Sequence, residues 1–232
     1  MKKAFLLPIL CLLMSSALFA ESDSLDSKVK LSLGVLGGWS NSWIEATGLT
    51  SKYFAPTSHV EEIFGPSLAT EFEVRIGKSL AASVGLKYVK KGQNTKETQV
   101  YFADNIYEHE LETTAEMWYL EMPVIVKAGL NMSRFWAYVR VGGVPAKRMG
   151  SSLAWSLDGS EAPAGTPYVP TVDVDQLDGA VLVGAEIGTQ VRRHGFFVCA
   201  DFEIGLMDIE HQLEGEAYNR MMDLKVGYRL FF

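Results

Sequence analysis

Residues 196–206, FFVCADFEIGL, and residues 222–232, MDLKVGYRLFF, alternate without a break between apolar side chains and polar or small ones. In the first, Phe196, Val198, Ala200, Phe202, Ile204 and Leu206 oppose Phe197, Cys199, Asp201, Glu203 and Gly205. In the second, Met222, Leu224, Val226, Tyr228, Leu230 and Phe232 oppose Asp223, Lys225, Gly227, Arg229 and Phe231. A period of two places successive side chains on opposite faces of a strand, so each stretch predicts a strand with one apolar face.

The same pattern recurs upstream. Val29 to Val35, Leu68 to Ile76, Ala82 to Tyr88, Trp118 to Val126, Phe135 to Val141 and Val181 to Ile187 each present one apolar row, which brings the total to eight segments. About ten residues is the length at which a tilted strand crosses a bilayer. No run of 18 apolar residues follows Ala20, so a helical span is excluded while mean hydropathy is still slightly positive. The reading is all-β: an eight-stranded antiparallel up-and-down transmembrane β-barrel.

The connections support it. Turns near Gly77-Lys78, Asn131-Arg134 and Arg192-Gly195 are short, whereas 44–63, 98–112, 149–178 and 209–217 are long. In an up-and-down barrel alternate connections share an end, so the four long loops form one rim. Those loops carry fifteen acidic residues and one basic residue, Lys52, while the short turns carry Lys78, Arg134, Arg192 and Arg193 and no acid. A soluble barrel with its apolar faces inward would have to fit around forty apolar side chains into a narrow eight-stranded interior, so the polar faces are placed inside.

Two domains of the chain are distinguished. Residues 1–20 read as a signal peptide, with Lys2 and Lys3 before the apolar stretch Ala4 to Leu13 and small residues up to Ala20; residues 21–232 form the barrel. Cleavage removes Cys11 and leaves Cys199 alone, so no disulfide forms within the mature chain. An acidic balance of -7 excludes nucleic acid as a bulk partner.

With the polar faces inward, the lumen receives Glu71, Glu73, Glu121, Glu186, Asp201, Glu203 and Asp223. Opposite them stand Lys30, Arg75, Lys87, Lys127, Arg140, Lys225 and Arg229. Buried charges persist when paired and hydrogen-bonded, so a salt-bridge network filling the barrel is expected, leaving a narrow channel as the alternative. The paired carboxylates also have the composition of glycosidase acid/base chemistry, but each has a basic neighbour and no cleft is indicated, so no catalytic residue is assigned.

The four histidines, His59, His109, His194 and His211, fall in connections. Ser58-His59 and His109-Glu110 are the positions a lipid-modifying enzyme would use, and the default reading is a solvated loop. Asp173, Asp175 and Asp178, followed by Gly179, match part of a calcium loop, but Leu177 stands where an oxygen ligand is required and no Glu closes the loop. A solvated acidic loop is the reading, with no metal and no cofactor. Lys90, Lys91, Lys96, Lys147, Arg148 and Arg220 are placed near the same rim, within reach of lipid phosphates.

Tyr119-Leu120-Glu121-Met122-Pro123-Val124-Ile125-Val126-Lys127, Leu86-Lys87-Tyr88 with Lys91-Gly92, and Val226-Gly227-Tyr228-Arg229-Leu230-Phe231-Phe232 resemble the PorT-like outer-membrane β-barrel proteins. Gly205-Leu206-Met207-Asp208-Ile209 with Tyr218-Asn219-Arg220 is similar to that family's penultimate hairpin. The resemblance implies a small barrel in the outer membrane of a Gram-negative bacterium of the Bacteroidetes type, and no single activity, because fold does not fix function. The insert from Ser151 to Asp178 departs from the plainest members. The terminal Phe232 looks like the assembly signal of outer-membrane barrels, so the expected partners are outer-membrane lipid, the barrel assembly machinery and a surface or envelope protein met by the acidic loops. A non-enzymatic structural or surface-interaction role follows, with a secretion or assembly accessory as a further alternative.

Overall fold

A computed structural model describes residues 29–47, 59–97, 100–102, 105–107, 111–132, 134–157, 160–161, 177–207 and 216–232. The signal peptide, Asp173, Asp175, His109 and His211 lie outside the described residues, and only the backbone of His59 is described. Among the described residues eight barrel strands run in chain order, β1 Lys30–Thr47, β2 His59–Ile76, β3 Leu80–Glu97, β4 in two segments (β4a Leu111–Glu121, β4b Val124–Asn131), β5 Phe135–Leu157, β6 Leu177–Val191, β7 His194–Gly205 and β8 Glu216–Phe231, beside a short hairpin of Val100–Phe102 with Asn105–Tyr107 and a segment Ser160–Glu161 paired to β5.

Each strand pairs antiparallel with its sequence neighbours, and β8 returns to β1 from Ser32↔Phe231 to Thr47↔Glu216, closing the sheet on itself. Closure removes the edges, so every strand in the membrane has a ladder on both sides. β4 is interrupted at Met122-Pro123, where proline has no N–H to give. The ladder is carried past the gap by Met122 N–H donating to Pro145 O at 2.9 Å and Gly85 N–H donating to Pro123 O at 3.0 Å.

The strands are longer than the apolar pattern indicates. β1, β2 and β3 have 18 residues each and β5 has 23. The surplus lies at the loop end, where β2 pairs with β3 up to His59↔Lys96, β3 with β4a up to Glu97↔Leu111, and β4a with β5 up to Leu111↔Leu157. Glu45, Glu61, Glu62, Glu112, Asp178 and Glu216, placed in long loops by the sequence reading, therefore stand in strands. Apolar alternation stops where lipid stops, whereas backbone pairing continues through polar residues beyond it.

The outer wall changes character at a defined height. Leu33, Val35, Leu68, Phe72, Val84, Leu86, Val124, Val126, Leu224 and Val226 are all exposed on it. Trp118 stacks on Tyr88 at 5.3 Å, and immediately above them Lys90 pairs with Glu116 at 2.7 Å, while Asn94 donates to Glu112 at 2.8 Å and to Glu61 at 3.3 Å. Below, Phe135, Phe196 and Phe232 are exposed beside the short turns. On β2 the apolar stretch from Phe64 to Ile76 tilted by about 40° has roughly the height of an outer-membrane hydrocarbon band.

A charge placed in this band faces hydrocarbon. Val84→Arg is expected to lower folding stability in phospholipid vesicles by about 2–4 kcal/mol, measured by urea unfolding, whereas Lys90→Arg above the aromatic ring should change it by less than about 0.5 kcal/mol.

Candidate functional site

The described interior is a column of ionised side chains in two tiers. In the tier nearer the short turns, β2 projects Glu71, Glu73 and Arg75, β4b Lys127, β5 Trp136 and Arg140, β6 Glu186 and β8 Arg229, all at inward positions of the two-residue period. Glu186 accepts from Arg229 Nη1 at 2.7 Å, from Lys127 Nζ and Trp136 Nε1 at 2.8 Å each, and from Arg140 Nη1 at 3.3 Å. Glu71 accepts from Lys127, from Arg229 Nη2 at 2.7 Å and from Arg140 Nη2 at 3.2 Å. Glu73 accepts from Lys127 at 2.6 Å and from Arg75 Nε at 2.7 Å.

The second tier lies toward the loops. Glu121 meets Lys91 at 2.6 Å and Lys87 at 2.7 Å; Glu203 meets Lys87 and, at 3.3 Å, Lys91. Asp223 accepts from Lys225 at 2.6 Å, Ser67 Oγ at 3.1 Å and Lys87 at 3.3 Å. Asp201 joins the tiers, with Lys225 at 3.1 Å on one side and Arg140 Nε at 3.3 Å on the other. Between the tiers remains a cavity of about 10 Å³ lined by Lys87, Arg140, Asp201 and Lys225, at the lower edge of what holds one water.

Aromatic side chains close the column at the turn end. The Arg75 guanidinium lies 4.5 Å from the ring centre of Trp136 and 4.5 Å from that of Phe231, and Arg229 lies 4.2 Å from that of Phe197. These flat rings fit because the wall behind them has no side chains. A Cβ on Gly188 would sit 2.2 Å from Trp136 Cζ2, and one on Gly227 would sit 2.4 Å from Phe197 Cζ. Cys199 is buried among Trp136, Tyr138, Phe197 and Phe231. At the loop end Asp178 accepts from Asn219 Nδ2 at 2.8 Å, and Tyr119 hydroxyl donates to Met117 Sδ at 3.6 Å.

Three of the sequence assignments change. Lys30 is exposed at the end of β1 and takes no place among the buried charges, because the strand begins there. Lys91, assigned to the loop-side rim as a lipid contact, is 1% exposed inside the barrel. It continues the inward row of Lys87 and Val89 on a strand that does not stop at Tyr88, and a longer count of the period would have found it. Asp178, the last aspartate of the acidic run, is also buried, on the inward row of Ala180 and Leu182. Its carboxylate accepts from Asn219 Nδ2 at 2.8 Å and from Gly179 N–H at 2.7 Å. The buried ionised set among the described residues is thus eight acids and seven bases.

Carboxylate oxygens of Glu71, Glu73 and Glu186 all lie within 4.8 Å of one another, close enough to share a cation. The Lys127 ammonium already bonds to all three, so the protein supplies its own cation there. His194, the one histidine whose side chain is described, is at the turn end, with Nδ1 at 2.6 Å from the Tyr228 hydroxyl and away from the loop rim.

A closed antiparallel barrel with an apolar outer band, aromatic rims and a paired ionic interior defines the class: this is an outer-membrane β-barrel protein, lodged where such barrels are found. No family model matches the chain, and no curated protein matches it in sequence. Solved structures similar to it are outer-membrane barrels. Neisserial surface protein A is 10% identical, with a TM-score of 0.42 over 88% of this chain and 98% of its own. OprG from Pseudomonas aeruginosa is 10% identical, with a TM-score of 0.40 over 87% and 95%. The outer-membrane protease OmpT from Escherichia coli is 10% identical, with a TM-score of 0.46 over 91% and 99%.

Proposed function

We propose that the protein is a non-enzymatic structural barrel, of the PorT-like kind that its Tyr119 to Lys127 block resembles, which holds acidic surface loops above the outer membrane for a protein partner. The observation that carries this reading is the filled lumen. Two tiers of ion pairs are linked by Asp201 and backed by Trp136, Phe197 and Phe231, and the cavity between Lys87, Arg140, Asp201 and Lys225 has about 10 Å³. A solute path needs a continuous polar opening, and here the buried carboxylates of both tiers are bonded to buried lysines and arginines. The same crosslinking stiffens the base from which β2, β3, β4a and β5 rise beyond the apolar band.

Assembly would proceed through β8, whose Phe232 N–H donates to Leu31 O at 2.9 Å where the barrel closes. Phe232 itself points outward and is 70% exposed, available as a recognition side chain before closure.

Planar-bilayer recording is the direct test. The folded barrel is expected to show no discrete conductance steps at 1 M KCl, and steady single-channel steps would replace the structural reading with a channel. Pulldown from crosslinked cells should then retrieve an envelope or surface protein, and loss of that product on trimming 162–176 would place the contact in the acidic insert.

A further inference from the structure

The outer wall is not evenly covered. A furrow of about 880 Å³ crosses it from β5 to β2. Its two banks are consecutive rows of the strand ladder. Ile187, Val198, Val226, Gly37 and Leu68 face one another in sequence across β6, β7, β8, β1 and β2 on one side. Phe135, Thr189, Phe196, Tyr228 and Val35 do so on the other. The floor is the intervening row, in which Trp136, Phe197 and Leu36 are buried inside the barrel and Gly188 and Gly227 carry no side chain. Gly37 leaves a notch in one bank between Val226 and Leu68. With about 4.8 Å between neighbouring strands, the five steps from β5 to β2 make a path of roughly 24 Å.

The furrow is oblique, because the strands are staggered. It starts at Phe135, the first residue of β5, and ends at Leu68, midway along the apolar row of β2 between Phe64 and Ile76. A chain lying in it runs from the turn-end surface toward the middle of the hydrocarbon. At its starting point stand the basic turns. Arg134 O accepts from Gln190 N–H at 2.7 Å and from Thr189 Oγ1 at 3.0 Å, and Arg192 O accepts from Gln190 Nε2 at 2.7 Å, so the two turns are side by side. Arg134, Arg192 and Arg193 are all exposed there, with no acidic residue in either turn.

We propose that this furrow seats an anionic diacyl phospholipid of the turn-side leaflet, one acyl chain lying along it and the phosphate headgroup on Arg134, Arg192 and Arg193. The lining supplies the apolar contact and the turns supply the charge. Tyr228, which lines the furrow, has its hydroxyl 2.6 Å from His194 Nδ1, next in sequence to Arg193, and so offers polar groups beside the basic turns. The order is fixed: basic turns below the low end of the furrow, hydrocarbon at the high end. A zwitterionic lipid satisfies the second requirement and not the first.

Native mass spectrometry of the delipidated full barrel in detergent tests this, with phosphatidylglycerol and phosphatidylcholine of the same acyl chains added in competition. Wild-type protein is expected to retain one phosphatidylglycerol per barrel, with a preference on the order of 10- to 100-fold from three arginines. A triple variant, Arg134→Gln, Arg192→Asn and Arg193→Gln, should lose the preference, Asn being chosen because Arg192 has φ of 56°. Gly37→Leu fills the notch; its Cβ would meet only Leu68 Cδ2 at an ordinary 3.5 Å, so the barrel folds while retention of both lipids falls. Equal retention of the two lipids by wild type, or a triple variant indistinguishable from it, overturns the proposal. A dimer that Gly37→Leu dissolves also overturns it, making a second copy of the chain the occupant.

Discussion

Lys127→Met is expected to destabilise the barrel by about 3–5 kcal/mol, the cost of removing one member of a buried ionic cluster and leaving the others uncompensated. The Lys127 ammonium is 0% exposed and bonds to Glu71, to Glu73 at 2.6 Å and to Glu186 at 2.8 Å. Methionine keeps most of the volume and none of the charge, leaving three carboxylates within 4.8 Å of one another in a sealed interior. Equilibrium urea unfolding in vesicles provides the measurement. Adding Glu73→Gln removes one of the three negative charges, so the double variant should recover part of the loss; the coupling between the two sites should be 1 kcal/mol or more. A Lys127→Met loss below about 1 kcal/mol would mean that Arg140 and Arg229 alone satisfy the cluster.

Gly188→Val is expected to cost about 3 kcal/mol or more and to reduce the fraction of chain that folds. Its Cβ would overlap Trp136 Cζ2 at 2.2 Å, Cε2 at 2.4 Å and Phe197 Cβ at 2.8 Å. The indole cannot step aside. Its Nε1 donates to Glu186 at 2.8 Å, its ring meets Phe231 edge-on at 5.9 Å, and Arg75 lies over it at 4.5 Å. The heat-dependent mobility shift of folded barrels on SDS gels reports the folded fraction. Trp136→Leu in the same chain makes room and should restore part of it, though not all, because Glu186 loses a donor. If Gly188→Val folds as well as wild type, the wall at β6 yields and the ring packing is looser than the distances state.

Much of this architecture can be read from neighbouring residues alone. The face to which Glu73, Lys127 or Arg229 belongs follows from parity within its own strand, since Phe72, Val124 and Leu230 mark the other face. Parity is a local property, and burial of one face makes a register slip costly. Strand ends are less legible. The outward apolar row ends at Tyr88 while the strand stays paired to Glu97, so apolar alternation alone does not show that Lys91 belongs to the inward row. Lys30 is inward by parity but is exposed, because it is the first residue of β1. Asp178 follows Asp173 and Asp175 in an acidic run, yet its two-residue spacing to Ala180 and Leu182 puts it on the inward row.

The sequence by itself determined that the chain forms an eight-stranded barrel with an apolar outside, a charged inside and basic short turns. Each of these depends on spacing between residues a few positions apart. The tertiary structure alone decided the partners. Arg229 reaches Glu71 across 158 residues and Lys87 reaches Glu203 across 116, distances that no periodicity encodes. The furrow has the same origin, since its banks are single positions drawn from successive strands and its slope is set by their stagger. Strand alternation fixes a side; the stagger and closure of the barrel fix which side chains share a height.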